Sequence, residues 1–330
     1  MATPTRGRRL GSVLLSLALL LTGPLGCATR GGALATLEEL RADETMPLFW
    51  RVGSERGATL YVLSSVHIGP PGGWAYPPAI ERAFEQSSAL WVEAEPEEIS
   101  GEHMQLLVAR YGMLPLGMRL RDRVSPETWN LLQRELARSS LPVEAADRMQ
   151  PWLVSNLLVA EATRRLGLSP RGGVDVGFAE RAGKRSVMAL ESAEYQLSLL
   201  ASLPEDLQEF TLRDALVRYD EIELYVSHLV DTWRVGDEAG LDALFFGGYG
   251  DEPDIETFYE VFIYRRNHEM AEQLGVLLEA EQHRGEAVFV VVGTGHLIGP
   301  RGIPALLADR GYEVSQSDRH DLLHGMQDGD

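Results

Sequence analysis

Two segments at opposite ends of the 330-residue chain follow one plan. The first reads Thr59-Leu-Tyr-Val-Leu-Ser-Ser-Val-His67, then Ile-Gly-Pro. The second reads Ala287-Val-Phe-Val-Val-Val-Gly-Thr-Gly-His296, then Leu-Ile-Gly-Pro. Each is a β-branched and aromatic run of strand length, a turn of small residues, and a histidine. A polar, metal-competent ring at the mouth of a buried strand points to a site, because ligands of α/β sheets gather at strand ends. The two histidines are about 230 residues apart. Only a sheet assembled from both ends of the chain can bring them together.

The rest of the pattern agrees with such a sheet. Residues 47–52 (PLFWRV) and 59–64 (TLYVLS) predict two strands, and Gly53 to Gly57 between them a hairpin turn. Ala89 to Glu93 and Ser186 to Leu190 predict two more, ending in Glu93 with Glu95 beyond it, and in Glu191. A strand, helix and strand close the chain at 287–292, 303–310 and 312–315. Between these lies a large helical insert, about residues 100–285. Ser125-Pro126-Glu127 is a helix start, with Ser at the N-cap and Pro at N1. Residues 144–166 keep helical apolar spacing. Gly172-Gly-Val-Asp175 opens a helix ending near Gly183. Residues 204–235 read as one long helix or two stacked ones, and 253–282 as another. The expected fold is therefore mixed α/β, a domain over 45–318 with a polar, loose tail at 319–330.

The N-terminus reads as a targeting segment. Arg6, Arg8 and Arg9 precede the apolar stretch Val13 to Leu21, which is short for a membrane span. Cys27 follows it and is the sole cysteine. Residues 1–26 are read as a signal peptide, and Cys27 resembles the lipidated cysteine of bacterial lipoproteins, with 27–44 as linker. Pro24 stands where such signals usually carry Leu. This predicts an exported cell-envelope protein held to a membrane by a lipid anchor, or a soluble periplasmic or secreted one. One thiol allows no internal disulfide and no cysteine-rich zinc site. The net charge of −19 argues against nucleic-acid binding, which needs clustered Lys and Arg. With 45% hydrophobic residues, the chain can bury a full core.

Four predicted strands thus end in His67, Glu93, Glu191 and His296. Imidazole and carboxylate together suit a divalent transition metal such as Zn, Mn, Co or Fe. The plain alternative is that each side chain merely ends its strand in solvent. His268-Glu-Met-Ala-Glu272 lacks the second histidine of a zinc helix and reads as a solvated face. Arg265-Arg266-Asn267 could hold carboxylates or a substrate carbonyl. Gly293 to Gly299 resembles a dinucleotide fingerprint with faulty spacing and no following βαβ unit.

Ordered pieces over residues 47–316 resemble the TraB/GumN (TraB/PrgY/GumN) family, related to the Tiki metalloproteases. They are Leu48-Phe-Trp50, Ser64-Ser-Val-His67, Leu90-Trp-Val-Glu93, Gly173-Val-Asp175, Leu190-Glu191 with Gln196, Arg266-Asn267, Gly293-Thr-Gly-His296-Leu297, and Gly311-Tyr312-Glu-Val314. The resemblance implies metal-dependent hydrolysis of peptide bonds. His67 and His296 would ligate the metal, with Glu93 as ligand or general base and Glu191 as a further carboxylate. Arg266 and Asn267 would polarise or orient the substrate carbonyl. Ser64 departs from the family's glycine, and its Cβ is expected to crowd the site. Related folds include haem-binding lipoproteins, so a non-catalytic ligand- or haem-binding lipoprotein, or an inactive scaffold, is the alternative.

Overall fold

A computed structural model describes residues 45–94, 101–247 and 255–324. The signal segment 1–26, Cys27, the linker to residue 44, Glu95 and the last six residues lie outside the described residues.

One mixed sheet organises the chain. Its strands are β1 (Phe49–Gly53), β2 (Thr59–Ser65), β3 (Ala89–Ala94), β4 (Ser186–Glu191), β5 (Ala287–Gly293) and β6 (Glu313–Gln316). Their order is β4-β3-β5-β2-β1-β6. The four strands β4, β3, β5 and β2 run parallel, while β1 runs antiparallel to β2 and β6. The hairpin of β1 and β2 is the one the Gly53 to Gly57 turn predicts. β5 occupies the middle of the parallel set, which explains why AVFVVVG carries no polar side chain and is buried from its second residue. β4 is an edge strand, and its outer half stays exposed.

The helices are α1 (Pro78–Gln86), α2 (Gly101–Tyr111), α3 (Pro126–Leu136), α4 (Val143–Ala146), α5 (Pro151–Arg165), α6 (Val174–Glu180), α7 (Ala193–Ala201), α8 (Glu205–Val217), α9 (Ile222–Arg234), α10 (Glu238–Phe246), α11 (Ile255–Tyr259), α12 (Arg265–Glu279), α13 (Ile303–Asp309) and α14 (Arg319–His324). Phe84 of α1 and Phe178 of α6 pack edge-on and tilted against Phe289 of β5, forming the centre of the core. A second cluster joins Trp152, Leu197, Leu200, Phe258 and Phe262 within the insert. Ser125 caps α3 as predicted, accepting from the Thr128 amide at 3.2 Å.

Four sequence expectations are refined. The helical spacing over 144–166 resolves into α4 and α5, because Pro151 lacks an amide hydrogen and starts a new helix at its first turn. Residues 204–235 form two helices, α8 and α9, broken at Tyr219–Glu221. The described part of 253–282 is interrupted by a π-helical stretch, Glu260–Tyr264, immediately before Arg265. The tail is not loose throughout: α14 packs on α1 and buries Leu322.

Candidate functional site

Parallel pairing sends the C-terminal ends of β2, β3, β4 and β5 to one edge of the sheet. That edge therefore collects the residues that end those strands. His67 lies two residues past β2, Glu93 near the end of β3, Glu191 at the end of β4, and His296 three residues past β5. Glu93 is the hub. Its Oε2 lies 3.6 Å from His67 Nε2, and its Oε1 lies 3.6 Å from His296 Nε2. Glu93 and His296 are buried, while 18% of the His67 side chain reaches solvent and gives the site its opening.

Both rings are held from behind. Asp175 Oδ2 lies 2.7 Å from His67 Nδ1 and also accepts from Ser65 Oγ at 2.6 Å. A carboxylate only accepts, so His67 Nδ1 carries the hydrogen. Asn267 donates through Nδ2 to the Arg301 carbonyl at 2.7 Å, which turns its Oδ1 toward His296 Nδ1 at 2.6 Å. His296 Nδ1 then also carries the hydrogen. The Nε2 atoms of both histidines are left facing Glu93.

The loops after β2 and before α6 cross at their glycines. Gly69 and Ser169 exchange two backbone hydrogen bonds of 2.9 Å. A Cβ on Gly69 would lie 2.0 Å from the Gly172 carbonyl oxygen, and one on Gly173 would lie 2.8 Å from the His67 carbonyl. Only hydrogen fits such an approach. This crossing delivers Asp175, at the start of α6, to His67.

Glu191 and Arg266 sit beneath Glu93. Arg266 is 1% exposed. Its Nε donates to both Glu191 oxygens at 2.9 and 3.0 Å, and its Nη2 to Glu93 Oε1 and Glu191 Oε2 at 2.6 Å each. Its Nη1 donates to the Phe262 carbonyl at 2.9 Å. Gln196 bridges the same carboxylates, from Nε2 to Glu93 at 3.0 Å and to Glu191 at 3.2 Å. Of the two readings of Arg266, carboxylate partner or substrate contact, these contacts match the first. Arg266 is committed to Glu93 and Glu191, and Asn267 to His296 and Arg301. Glu191 meets Arg266 and Gln196, and so supports Glu93 from below.

Charge follows from this packing. Burial works against ionisation of Glu93, but His296, His67 and Arg266 outweigh it and hold the carboxyl well below its usual range. Burial also works against a charged His67, yet Asp175 and Glu93 prevail and push it up to about 10. Burial and then the Arg266 charge lower His296 below the ordinary histidine value.

The three donors converge beside Gly293, which carries no side chain. A Cβ on Gly293 would stand 2.8 Å from Glu93 Oε2, 3.1 Å from His67 Nε2 and 3.6 Å from the His296 ring. The Gly293 amide donates to Glu93 Oε2 at 2.9 Å. Two imidazole nitrogens and a carboxylate converging beside a glycine are a donor set for a first-row divalent metal. Each ring is backed by the acceptor that metal-bound histidines commonly have. The three ligand atoms do not all come within 4.8 Å of one another, so binding would draw the donors inward. An exposed trio elsewhere, Asp318, His320 and Asp321, does meet that spacing, as surface acids often do without an ion.

Ser64, expected to crowd the site, lies one register position away from the residue facing Gly293. Ser65, not Ser64, pairs with Gly293 across β2 and β5, while Ser64 pairs with Val292. The Ser64 hydroxyl is buried without a hydrogen-bond partner. His268 is exposed, as its reading as a solvated face expects. The partner roles of Asp175 and Gln196 were not assigned from the sequence. The Gly-Val-Asp motif was their only signal, together with the residue five after Glu191.

The TraB/PrgY/gumN family model matches residues 48–316. The chain belongs to this family. It is 23% identical over 325 residues to "Metalloprotease TIKI1" of Danio rerio, covering 82% of this chain and 63% of that protein. It is 22% identical over 338 residues to "Metalloprotease TIKI2" of Xenopus tropicalis, covering 83% and 60%. A Treponema pallidum (strain Nichols) protein described as uncharacterized is 27% identical over 205 residues, covering 60% of this chain and 59% of its own length. The chain thus spans less than two thirds of the curated relatives it matches. No solved structure matches it.

Proposed function

We propose that this family member is a metal-dependent hydrolase of peptide bonds, exported and held to the cell envelope by a lipid on Cys27. One observation carries the catalytic part. Two histidine Nε2 atoms, each with Nδ1 fixed by a buried acceptor, flank one buried carboxylate beside Gly293. Charge supports it. Glu93, Glu191 and Asp175 are three buried carboxyl groups balanced in the metal-free site by Arg266 and a protonated His67, and a dication would take over that balance as His67 gives up its Nε2 proton. The metalloprotease names of two relatives support the reaction class. The anchor rests on the position of the sole cysteine after an apolar segment.

His67, His296 and Glu93 would hold the metal, whose chemistry is Lewis-acid polarisation and acidification of a water. Asp175 and Asn267 keep both rings in the tautomer that presents Nε2. Arg266 and Gln196 orient Glu93 and keep it ionised, ready to ligate or to take a proton. His67 forms the solvent-facing side, where a substrate backbone would enter.

Elemental mass spectrometry on the purified full chain tests this, after reconstitution with Mn²⁺, Co²⁺ or Zn²⁺. About one equivalent of metal is expected, lost in a His67→Ala/His296→Ala variant that still folds. No metal in the wild type, or full retention in the variant, would overturn the assignment. A visible band on haem titration that depends on the same histidines would favour the binding-protein reading instead.

A further inference from the structure

The end of β2 is a junction of three elements. The carbonyls of Ser64, Ser65 and Val66 each accept from a different part of the chain: the Trp233 indole at 3.1 Å, the Thr294 hydroxyl at 2.8 Å and the Val174 amide at 3.1 Å. Ser65 pairs with Gly293 in the last step of the β2–β5 ladder. Beyond that pair β5 turns into the short helix Thr294–His296, so the ladder stops and a side-chain hydroxyl reaches the Ser65 carbonyl. Ser65 in turn gives the one hydrogen of its own hydroxyl to Asp175 Oδ2, at 2.6 Å.

Two hydroxyls therefore lie in series between the histidine turns. Thr294 stands two residues before His296, and Ser65 two residues before His67. Thr294 bonds Ser65, and Ser65 bonds the carboxylate behind the His67 ring. Both residues are buried, where a hydroxyl costs stability unless it is bonded. The Asp175 carboxylate depends on this contact. Its Oδ2 takes the hydrogens of both Ser65 and His67, while its Oδ1 is buried without a hydrogen-bond partner. With no bond on the Oδ1 side among the described residues, the Ser65 hydroxyl sets how the carboxylate is turned toward the ring. Ser64 provides the contrast. It is the same residue type one position earlier, equally buried, and its hydroxyl has no partner.

We infer that Ser65 and Thr294 are positioning residues, which lock the turn carrying His67 to the turn carrying His296 and hold the two rings at a fixed separation across Glu93. The consequence for metal binding rests on the hydrolase reading; the placement of the rings does not.

The test uses the full chain, isotope-labelled at histidine nitrogen and stripped of metal with chelator. Wild type is compared with Ser65→Ala, Thr294→Val, Thr294→Ser and Ser64→Ala. NMR reads the Nδ1 proton of each ring, assigned by its loss in His67→Ala and His296→Ala. Ser65→Ala is expected to displace the His67 resonance and speed its exchange with water. Thr294→Val is expected to displace that of His296 as well. Thr294→Ser keeps the hydroxyl and should preserve both signals, and Ser64→Ala should leave them unchanged. After reconstitution with Co²⁺, affinity should fall about 10–100-fold in Ser65→Ala and Thr294→Val, the usual cost of losing a support behind a ligand. A merely stabilising role would lower the melting temperature of those two variants and leave both ring resonances in place. That result, or an equal displacement in Ser64→Ala, would overturn the inference. A wild type that takes up no metal while its rings still respond would sink the hydrolase reading and leave this one standing. Normal metal uptake with wild-type rings in both variants would do the reverse.

Discussion

Gly293→Ala is the sharpest single perturbation of the proposed centre, because it adds one methyl at the point where the donors converge. The new Cβ would lie 2.8 Å from Glu93 Oε2, a contact real Cβ atoms essentially never make, and 3.1 Å from His67 Nε2. Glu93 cannot retreat freely. Its Oε1 is held by Arg266 at 2.6 Å and by Gln196 at 3.0 Å, and its Oε2 by the Gly293 amide at 2.9 Å. The methyl would crowd the carboxylate and the ring that would hold the metal. Overpacking of this kind costs about 1–3 kcal/mol of stability, which leaves most of a domain's folding free energy intact. Metal affinity should fall at least about 100-fold, the upper end of what losing a supporting residue costs. Chelator competition measures the affinity, and thermal melting followed by circular dichroism measures the fold. Gly177→Ala is the control. It lies in α6, nothing stands within 4 Å of the added atom, and it should stabilise by about 0.5–1 kcal/mol with affinity unchanged. Wild-type metal affinity in Gly293→Ala would refute the placement of the metal over this glycine.

Three further outcomes are expected. Asp175→Ala frees the His67 ring and should weaken metal binding about 10–100-fold in the same competition assay, whereas unchanged affinity would deny Asp175 its positioning role. Arg266→Met leaves Glu93 and Glu191 buried without their cation and should cost about 3–5 kcal/mol in urea denaturation. Adding Glu191→Met should recover part of that loss, and a double variant weaker than both singles would argue against the pairing. Burial opposes ionisation of Asp147, but its hydrogen bonds to Arg121, aided by Arg119, hold the carboxyl below its usual value. Its contribution to stability is therefore present above the unfolded value of about 3.9 and is lost as pH falls through the lower folded one. Asp147→Asn should flatten the acid limb of stability between pH 5 and the folded midpoint, and an unaltered limb would contradict the shift.

The strand-end residues were legible because apolar runs of strand length end in His67, Glu93, Glu191 and His296, and parallel pairing does the rest. Period and punctuation carry that information locally. The partners behind them were not legible. Asp175 reaches His67 over 108 residues through a crossing of bare backbone, and no local pattern encodes where a loop will cross another. Arg266 could read as a substrate contact or a carboxylate partner, and only burial beside Glu93 and Glu191 decides. The π-helical stretch at Glu260–Tyr264 was equally hidden, since its residues have ordinary helical spacing. It ends two residues before Arg266 and three before Asn267, neighbours in sequence that are both buried and serve different parts of the site.

The sheet order also governs how the chain can come off the ribosome. β5 is made late, yet it sits between β2 and β3, which do not pair with each other. Until residue 287 has been synthesised, those two early strands have no partner on their facing edges. Bare strand edges are templates for aggregation, and contacts this distant in sequence form slowly. Nascent chains are thus expected to hold their longest exposure during synthesis of the insert, and a chain ending at residue 286 should be recovered as aggregate. Completion of one strand would then end two hazards together and, in the same step, supply His296 to His67 and Glu93.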